Sequence, residues 1–148
     1  MSDPHLIDDE PGIDALLART RRVAVLGIKT EEQRDQPAFY VPEYLQAAGL
    51  EVIPVPVYYP EATTILGHPV YRKLADVPGE VDLVDVFRRA RDLDAHLDDI
   101  LAKRPRAVWL QLKIRNDPFA RRLADAGIDV VQDRCLMVEH RRWAHAAR

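Results

Sequence analysis

Five short apolar runs punctuate the chain: Val23–Gly27, Val52–Val55, Val81–Phe87, Ala107–Leu112 and Ile128–Val131. Each is mostly apolar at successive positions, as a strand covered on both faces should be. Between the runs, apolar residues recur at helical spacing. Val41, Leu45 and Ala48 form one stripe, with Gly49 placed to end the helix in a left-handed conformation. Leu93, Leu97, Ile100 and Leu101 form the next. The stretch "NDPF" reads as a helix start. Asn116 or Asp117 can cap it, Pro118 suits the first turn, and Phe119, Leu123 and Ala126 make the buried face before Gly127. An opening helix around Ile13–Ala18 and a closing one from Leu136 to about Trp143 complete the series. The connection from Pro56 to Gly79 keeps neither period, and a short helix near Tyr71–Ala75 is expected within it.

Alternating strands and helices imply an α/β fold: a parallel, doubly wound five-stranded sheet with right-handed crossovers and helices on both faces. No repeat or interdomain linker interrupts the pattern, so one domain is expected over 1–148, with its core at about 20–143. At 148 residues the chain can bury roughly two-thirds of the surface its unfolded form exposes. A net charge of -3 argues against nucleic acid or an anionic membrane as partner. No apolar run approaches a membrane span, and the acidic opening "MSDPHLIDDEPG" lacks the apolar segment of a secretion signal. The single cysteine, Cys135, excludes an internal disulfide, and a cytoplasmic location is expected.

Ligands of doubly wound sheets bind outside the carboxyl ends of the strands, where strand order reverses. Lys29 and Arg34 follow the first run, Arg88 and Arg89 the third, Lys113 and Arg115 the fourth, and Arg134 the fifth. Such loop charges can serve solubility alone; read functionally, they form a rim for a phosphate-bearing ligand. The second run ends Pro54-Val55-Pro56-Val57, and its one nearby acid, Glu51, stands at the beginning. A nicotinamide dinucleotide site usually closes this strand with an acid and follows the first strand with three glycines. Here only Gly27 stands in the first turn, within "VAVLGIKTEEQRDQPAF".

In order along the chain, "VAVLG", "YVPEYLQAAGLEVIPV", "ILGHPVYRKLADVP", "VDLVDVFRR", "VWLQLKIRN" and "DRCLMVEH" resemble the small stand-alone CoA-binding proteins of bacteria and archaea. That family is related to the CoA-binding domains of succinyl-CoA synthetase and of ADP-forming acyl-CoA synthetases. The resemblance runs from about Arg22 to Arg142. It implies a Rossmann-like sheet of order 3-2-1-4-5 and coenzyme A as the cofactor. It also implies a site made of the first turn (Gly27, Ile28, Lys29, Thr30), Arg34, Pro37 and Tyr40 at the next helix, and the strand ends Pro54, Val55, Pro56, Phe87, Arg88 and Gln111. Two departures from the family stand out. Pro56-Val57 replaces a common Asn-Pro, and Lys29 and Glu31-Glu32 occupy a turn where small polar residues are usual.

No complete catalytic set emerges, and the protein is expected not to be an enzyme. Cys135 follows the fifth strand, but His140, five residues on, does not face it on a helix, and a lone cysteine is most often a small buried hydrophobe. The histidines show no metal-ligand spacing. Asp82 and Asp85 are an odd number of residues apart on one strand and therefore face opposite sides. Asp85 is expected to cap a turn or pair with an arginine. Tyr58 and Tyr59 can stack on an adenine, although core packing of at least one is the simpler expectation, and Trp109 reads as core. Three functions remain: a binder of CoA or acyl-CoA without chemistry of its own, with a protein partner or second copy possible; an NAD(P)-dependent oxidoreductase; and an interaction protein that has lost its nucleotide.

Overall fold

A computed structural model of the chain describes residues 3–146. In chain order the elements are α1 (Glu10–Ala18), β1 (Arg22–Leu26), α2 (Pro37–Ala47), β2 (Glu51–Val55), β3 (Thr64–Ile65), β4 (His68–Pro69) and β5 (Leu83–Val86). Then follow α3 (Leu97–Lys103), β6 (Ala107–Leu110), α4 (Asp117–Asp125), β7 (Asp129–Val131) and α5 (Leu136–Ala146). Strand and helix identities match the apolar periodicities. β1, β2, β5, β6 and β7 form one parallel sheet, and the burial of both its faces explains why these strands lack alternation.

Side chains alternate across the sheet and build two cores. Ala24, Leu26, Val84, Val86, Val108 and Leu110 face one side with α3 and α4, through Leu97, Ile100, Phe119 and Leu123. Val23, Val25, Leu83, Trp109 and Val131 face the other with α1, α2 and α5, through Leu16, Phe39, Leu45 and Leu136. Trp109 is fully buried, and its indole N–H donates to the Arg134 carbonyl at 2.8 Å.

The doubly wound fold is as expected, but its strand order is corrected. The sheet runs β2-β1-β5-β6-β7, which is 2-1-3-4-5 when its strands are counted along the chain, rather than 3-2-1-4-5. Two local preferences send the third strand past β1. The outer border of β2 is taken by the segment after the β3–β4 hairpin, where the Tyr71 amide donates to Pro54 O at 3.0 Å. On the other side of β1, the Asp82 carboxylate accepts the amides of both Arg21 and Arg22, each at 2.8 Å, and brings β5 into register with β1. The order therefore reverses between β1 and β5. At the far border, the Ile7 amide donates to Val130 O (2.9 Å) and the Val130 amide to His5 O (2.7 Å), laying the His5–Ile7 segment along β7.

The irregular connection after β2 is also corrected. It contains the β3–β4 hairpin and a 3₁₀ turn at Leu74–Asp76 in place of a helix near Tyr71–Ala75. The Asp99 carboxylate of α3 accepts the amides of Leu74 (2.7 Å) and Ala75 (3.0 Å), which holds that turn from outside. The stripe beginning at Leu93 starts as a 3₁₀ segment, Ala90–His96, before α3 proper. At α4 the cap is Asn116: its side-chain oxygen accepts the Phe119 amide at 3.1 Å, and its amide nitrogen reaches Ala90 O at 3.2 Å. Asn116→Ala is expected to cost about 1 kcal/mol in urea unfolding; an unchanged midpoint would remove the cap from the account.

Candidate functional site at the strand-order reversal

Gly27 follows β1 where the order reverses, and its surroundings permit no side chain. Its φ is +87°, and a Cβ there would stand 2.5 Å from the carbonyl oxygen of Phe87 and 3.3 Å from Cδ of Arg88. Its amide donates to Val55 O at 2.9 Å, while the Phe87 amide donates to Leu26 O at 2.9 Å. The carboxyl ends of β2, β1 and β5 thus converge on one bare stretch of backbone.

α2 is tied to this turn through a proline. Pro42 sits inside the helix and has no N–H for the carbonyl four residues earlier, that of Ala38. The Lys29 amide takes that carbonyl instead, at 3.1 Å. The Lys29 ammonium donates to Gln36 Oε1, just ahead of Pro37. The Thr30 hydroxyl donates to Gln33 Oε1 at 2.8 Å. Glu31, a departure in this turn, points toward the hairpin, where its carboxylate accepts the Leu66 amide at 2.8 Å.

Arg88 follows β5 beside Gly27, and its side chain is only 14% exposed. Its Nε donates to His96 Nε2 at 3.2 Å, and one terminal nitrogen reaches the Tyr58 hydroxyl at 3.4 Å. Its guanidinium carbon lies 5.5 Å from the centre of the Tyr58 ring, and Asp92 is 3.9 Å away. Burial first, and then the Arg88 charge, hold the His96 imidazole below its ordinary value, so a neutral ring accepts from Arg88. Of the two tyrosines, at least one of which was expected to pack into the core, Tyr59 is half-buried and Tyr58 is 63% exposed. Arg72 holds the loop that carries it, donating to the carbonyls of Tyr58 (3.2 Å), Tyr59 (2.9 Å) and Ala62 (2.9 Å).

The expected site residues divide. Gly27, Phe87 and Arg88 come together, with Lys29 and Pro37 on the adjoining turn and helix start. Tyr40, one turn into α2, is partly exposed. Arg34 is exposed and lies with its guanidinium carbon 5.9 Å from the Phe39 ring centre. Ile28, Pro54, Val55 and Pro56 are buried, and the carbonyls of Pro54 and Val55 accept the amides of Tyr71 and Gly27. Gln111 is buried and its amide oxygen accepts the Leu136 amide at 3.1 Å, which starts α5. Beyond the reversal, Arg115 pairs with Asp117 at 3.2 Å and Arg134 with Glu139 at 3.7 Å, so these rim cations already have partners.

Asp85 is corrected as well. It pairs in register with Val25 and Trp109 on the face covered by α1, α2 and α5, fully buried, with neither carboxylate oxygen hydrogen-bonded in the described structure. Burial pushes its carboxyl well above the usual range. The capping role expected of it belongs to Asp82. Parity decides this, since the two residues face opposite sides. Glu51, the acid of the second strand, pairs with Arg22 at 3.1 Å, at the opposite end of β2 from the site.

A family model described as a CoA binding domain matches residues 21–141. The chain belongs to the CoA-binding domain family. The Bacillus subtilis protein YneT is 31% identical to this chain over 128 residues, covering 86% of this chain and 91% of its own. The structure of a Thermus thermophilus protein, cell-free ID.343, is 40% identical and superposes with a TM-score of 0.83 over 92% of this chain and 99% of that one. The fold alone is shared with the dinucleotide forming acetyl-coenzyme A synthetase 1 of Ca. Korarchaeum cryptofilum. That enzyme, in complex with phosphate and ADP, is 19% identical with a TM-score of 0.62, over 74% of this chain and 25% of the synthetase. Among the described residues of this CoA-binding domain, no group of three or more His, Cys, Asp or Glu is placed to hold a metal, and no helix is long and apolar enough to cross a membrane.

Proposed function

We propose that this member of the CoA-binding domain family binds coenzyme A or an acyl-CoA without transforming it, as a carrier, sensor or accessory module in the cytoplasm. The observation that carries this reading is Gly27. A Cβ there would meet the Phe87 carbonyl oxygen, so glycine lets the ends of β1 and β5 close on one another at the point of strand reversal, where ligands of such sheets bind. The turn and the start of α2 would receive the pyrophosphate, with Lys29 and Arg88 supplying positive charge. Glu31 is drawn off toward Leu66, which moves one of the turn's two acids out of this role. The nicotinamide alternative has nothing in its favour at the end of β2, where buried Pro54, Val55 and Pro56 stand in place of a ribose-binding acid.

Calorimetry and thermal shift with CoA, acetyl-CoA, NAD, NADP and ATP test the reading. CoA and acetyl-CoA are expected to raise the melting temperature, with a gain of about 2.7 kcal/mol at a ligand concentration one hundred times Kd, and acetyl-CoA is expected to be recovered intact. A response to nicotinamide nucleotides alone, or silence throughout, overturns CoA binding; turnover of acetyl-CoA overturns the non-catalytic part. Arg88→Ala is expected to weaken CoA binding about tenfold, the scale of one charge-assisted contact. Arg34→Ala should weaken it less, because an exposed charge is more strongly screened.

A further inference from the structure

We infer that the ring of Tyr58 is the platform on which the ligand's planar base stacks, so that this residue sets preference for a nucleotide-bearing ligand over its base-free fragment. The inference rests on the CoA reading above and specifies one contact within it. Large aromatic side chains usually bury most of their surface, whereas Tyr58 leaves 63% of its own exposed. The exposure does not reflect a loose loop. Arg72 holds the carbonyls of Tyr58, Tyr59 and Ala62, and the guanidinium of Arg88 lies 5.5 Å from the ring centre.

The position suits the task. Arg88 reaches the ring with its guanidinium while its Cδ lies 3.3 Å from where a Cβ of Gly27 would be, so one side chain connects the phosphate turn to the aromatic platform. Tyr59 meets the Tyr58 ring edge-on, with centres 6.4 Å apart and planes at 88°, which fixes its tilt without adding a parallel ring above it. An arginine held at the hydroxyl end of the ring and a planar base on its open face form a stack that loses little conformational freedom on binding, because the platform is already in place.

The test compares CoA with 4′-phosphopantetheine, which keeps the thiol arm and one phosphate but has no base. Calorimetry would be run on the wild-type protein, Tyr58→Phe and Tyr58→Ala in one buffer of fixed salt. Tyr58→Phe keeps the ring and removes the hydroxyl contact to Arg88; Tyr58→Ala removes both. For Tyr58→Ala, CoA affinity is expected to fall about tenfold while 4′-phosphopantetheine affinity stays the same. For Tyr58→Phe, CoA affinity is expected to stay near that of the wild type. If Tyr58→Ala leaves CoA unchanged, or weakens both ligands equally, the platform is overturned while CoA binding stands. If Tyr58→Phe loses as much as Tyr58→Ala, the hydroxyl rather than the ring makes the contact, and stacking is again overturned. Failure of the wild-type protein to bind CoA at all would remove the parent reading and this inference together.

Discussion

Asp85→Asn is expected to gain stability over the wild type as pH rises from 5 to 8, and to remove a component of its pH dependence. The wild-type carboxyl is fully buried among apolar neighbours with neither oxygen hydrogen-bonded, and burial raises its proton affinity well above the ordinary range. In the unfolded chain the same group ionises freely. Below the ordinary carboxylate range it is protonated in both states and has no effect on the balance. As pH rises, the unfolded state gains by releasing the proton, and folding loses about 1.4 kcal/mol per pH unit until the raised folded value is reached. The loss is then complete. Asparagine has nearly the same shape and no proton to release. Urea unfolding of both proteins at pH 5 and pH 8 should therefore give a stability difference that widens in favour of the variant as pH rises. The salt bridges common to both proteins cancel in that difference. A constant difference would show that Asp85 is ionised or partnered in solution.

Gly27→Ala carries the other large effect. The substitution combines a positive φ, unfavourable to any residue with a Cβ, with a 2.5 Å approach to the Phe87 carbonyl oxygen, which belongs to the backbone and cannot rotate away. A destabilisation of about 2–4 kcal/mol is expected in urea unfolding, made up of left-handed strain and the displacement needed to relieve the clash. CoA should fail to bind the folded fraction, because separating β1 from β5 disturbs the turn that would hold the pyrophosphate. Gly49→Ala is the control. It also has a positive φ, +99°, but a Cβ there meets nothing within 4 Å, so only the strain remains. Equal costs for the two variants would show that the contact with Phe87 contributes nothing.

The strands of the main sheet were legible as unbroken apolar runs buried on both faces and the helices as stripes at helical spacing, and α4 announced itself through Asn116, Pro118 and Gly127. Strand order was not legible. It follows from which border of β1 the returning chain meets after a long connection, and the deciding contacts, Tyr71 with Pro54 and Asp82 with Arg21 and Arg22, are tertiary hydrogen bonds without a sequence period. The placement of Gly27, Lys29 and Arg88 about the strand-order reversal was legible, because they stand just past strand ends. It was less so at Gln111, which stands at a strand end but spends its oxygen on α5. Two signals lay in view. Asp85 is a charged residue inside the apolar run "VDLVDVF", which indicates deep burial rather than capping. Pro42 lies within a helical stripe, and the carbonyl it leaves free is the one that anchors Lys29.

Both borders of the main sheet carry a strip of the protein's own backbone, His5–Ile7 beside β7 and Tyr71 against β2. Open ladders of amides and carbonyls are where sheets fuse with one another or recruit extended peptides. A visiting strand would have to peel one of these strips away before it could register, which makes fibril-like growth along the sheet costly. Assemblies that include this protein are accordingly expected to form through helix and loop surfaces, leaving the ends of the strands open to a small molecule.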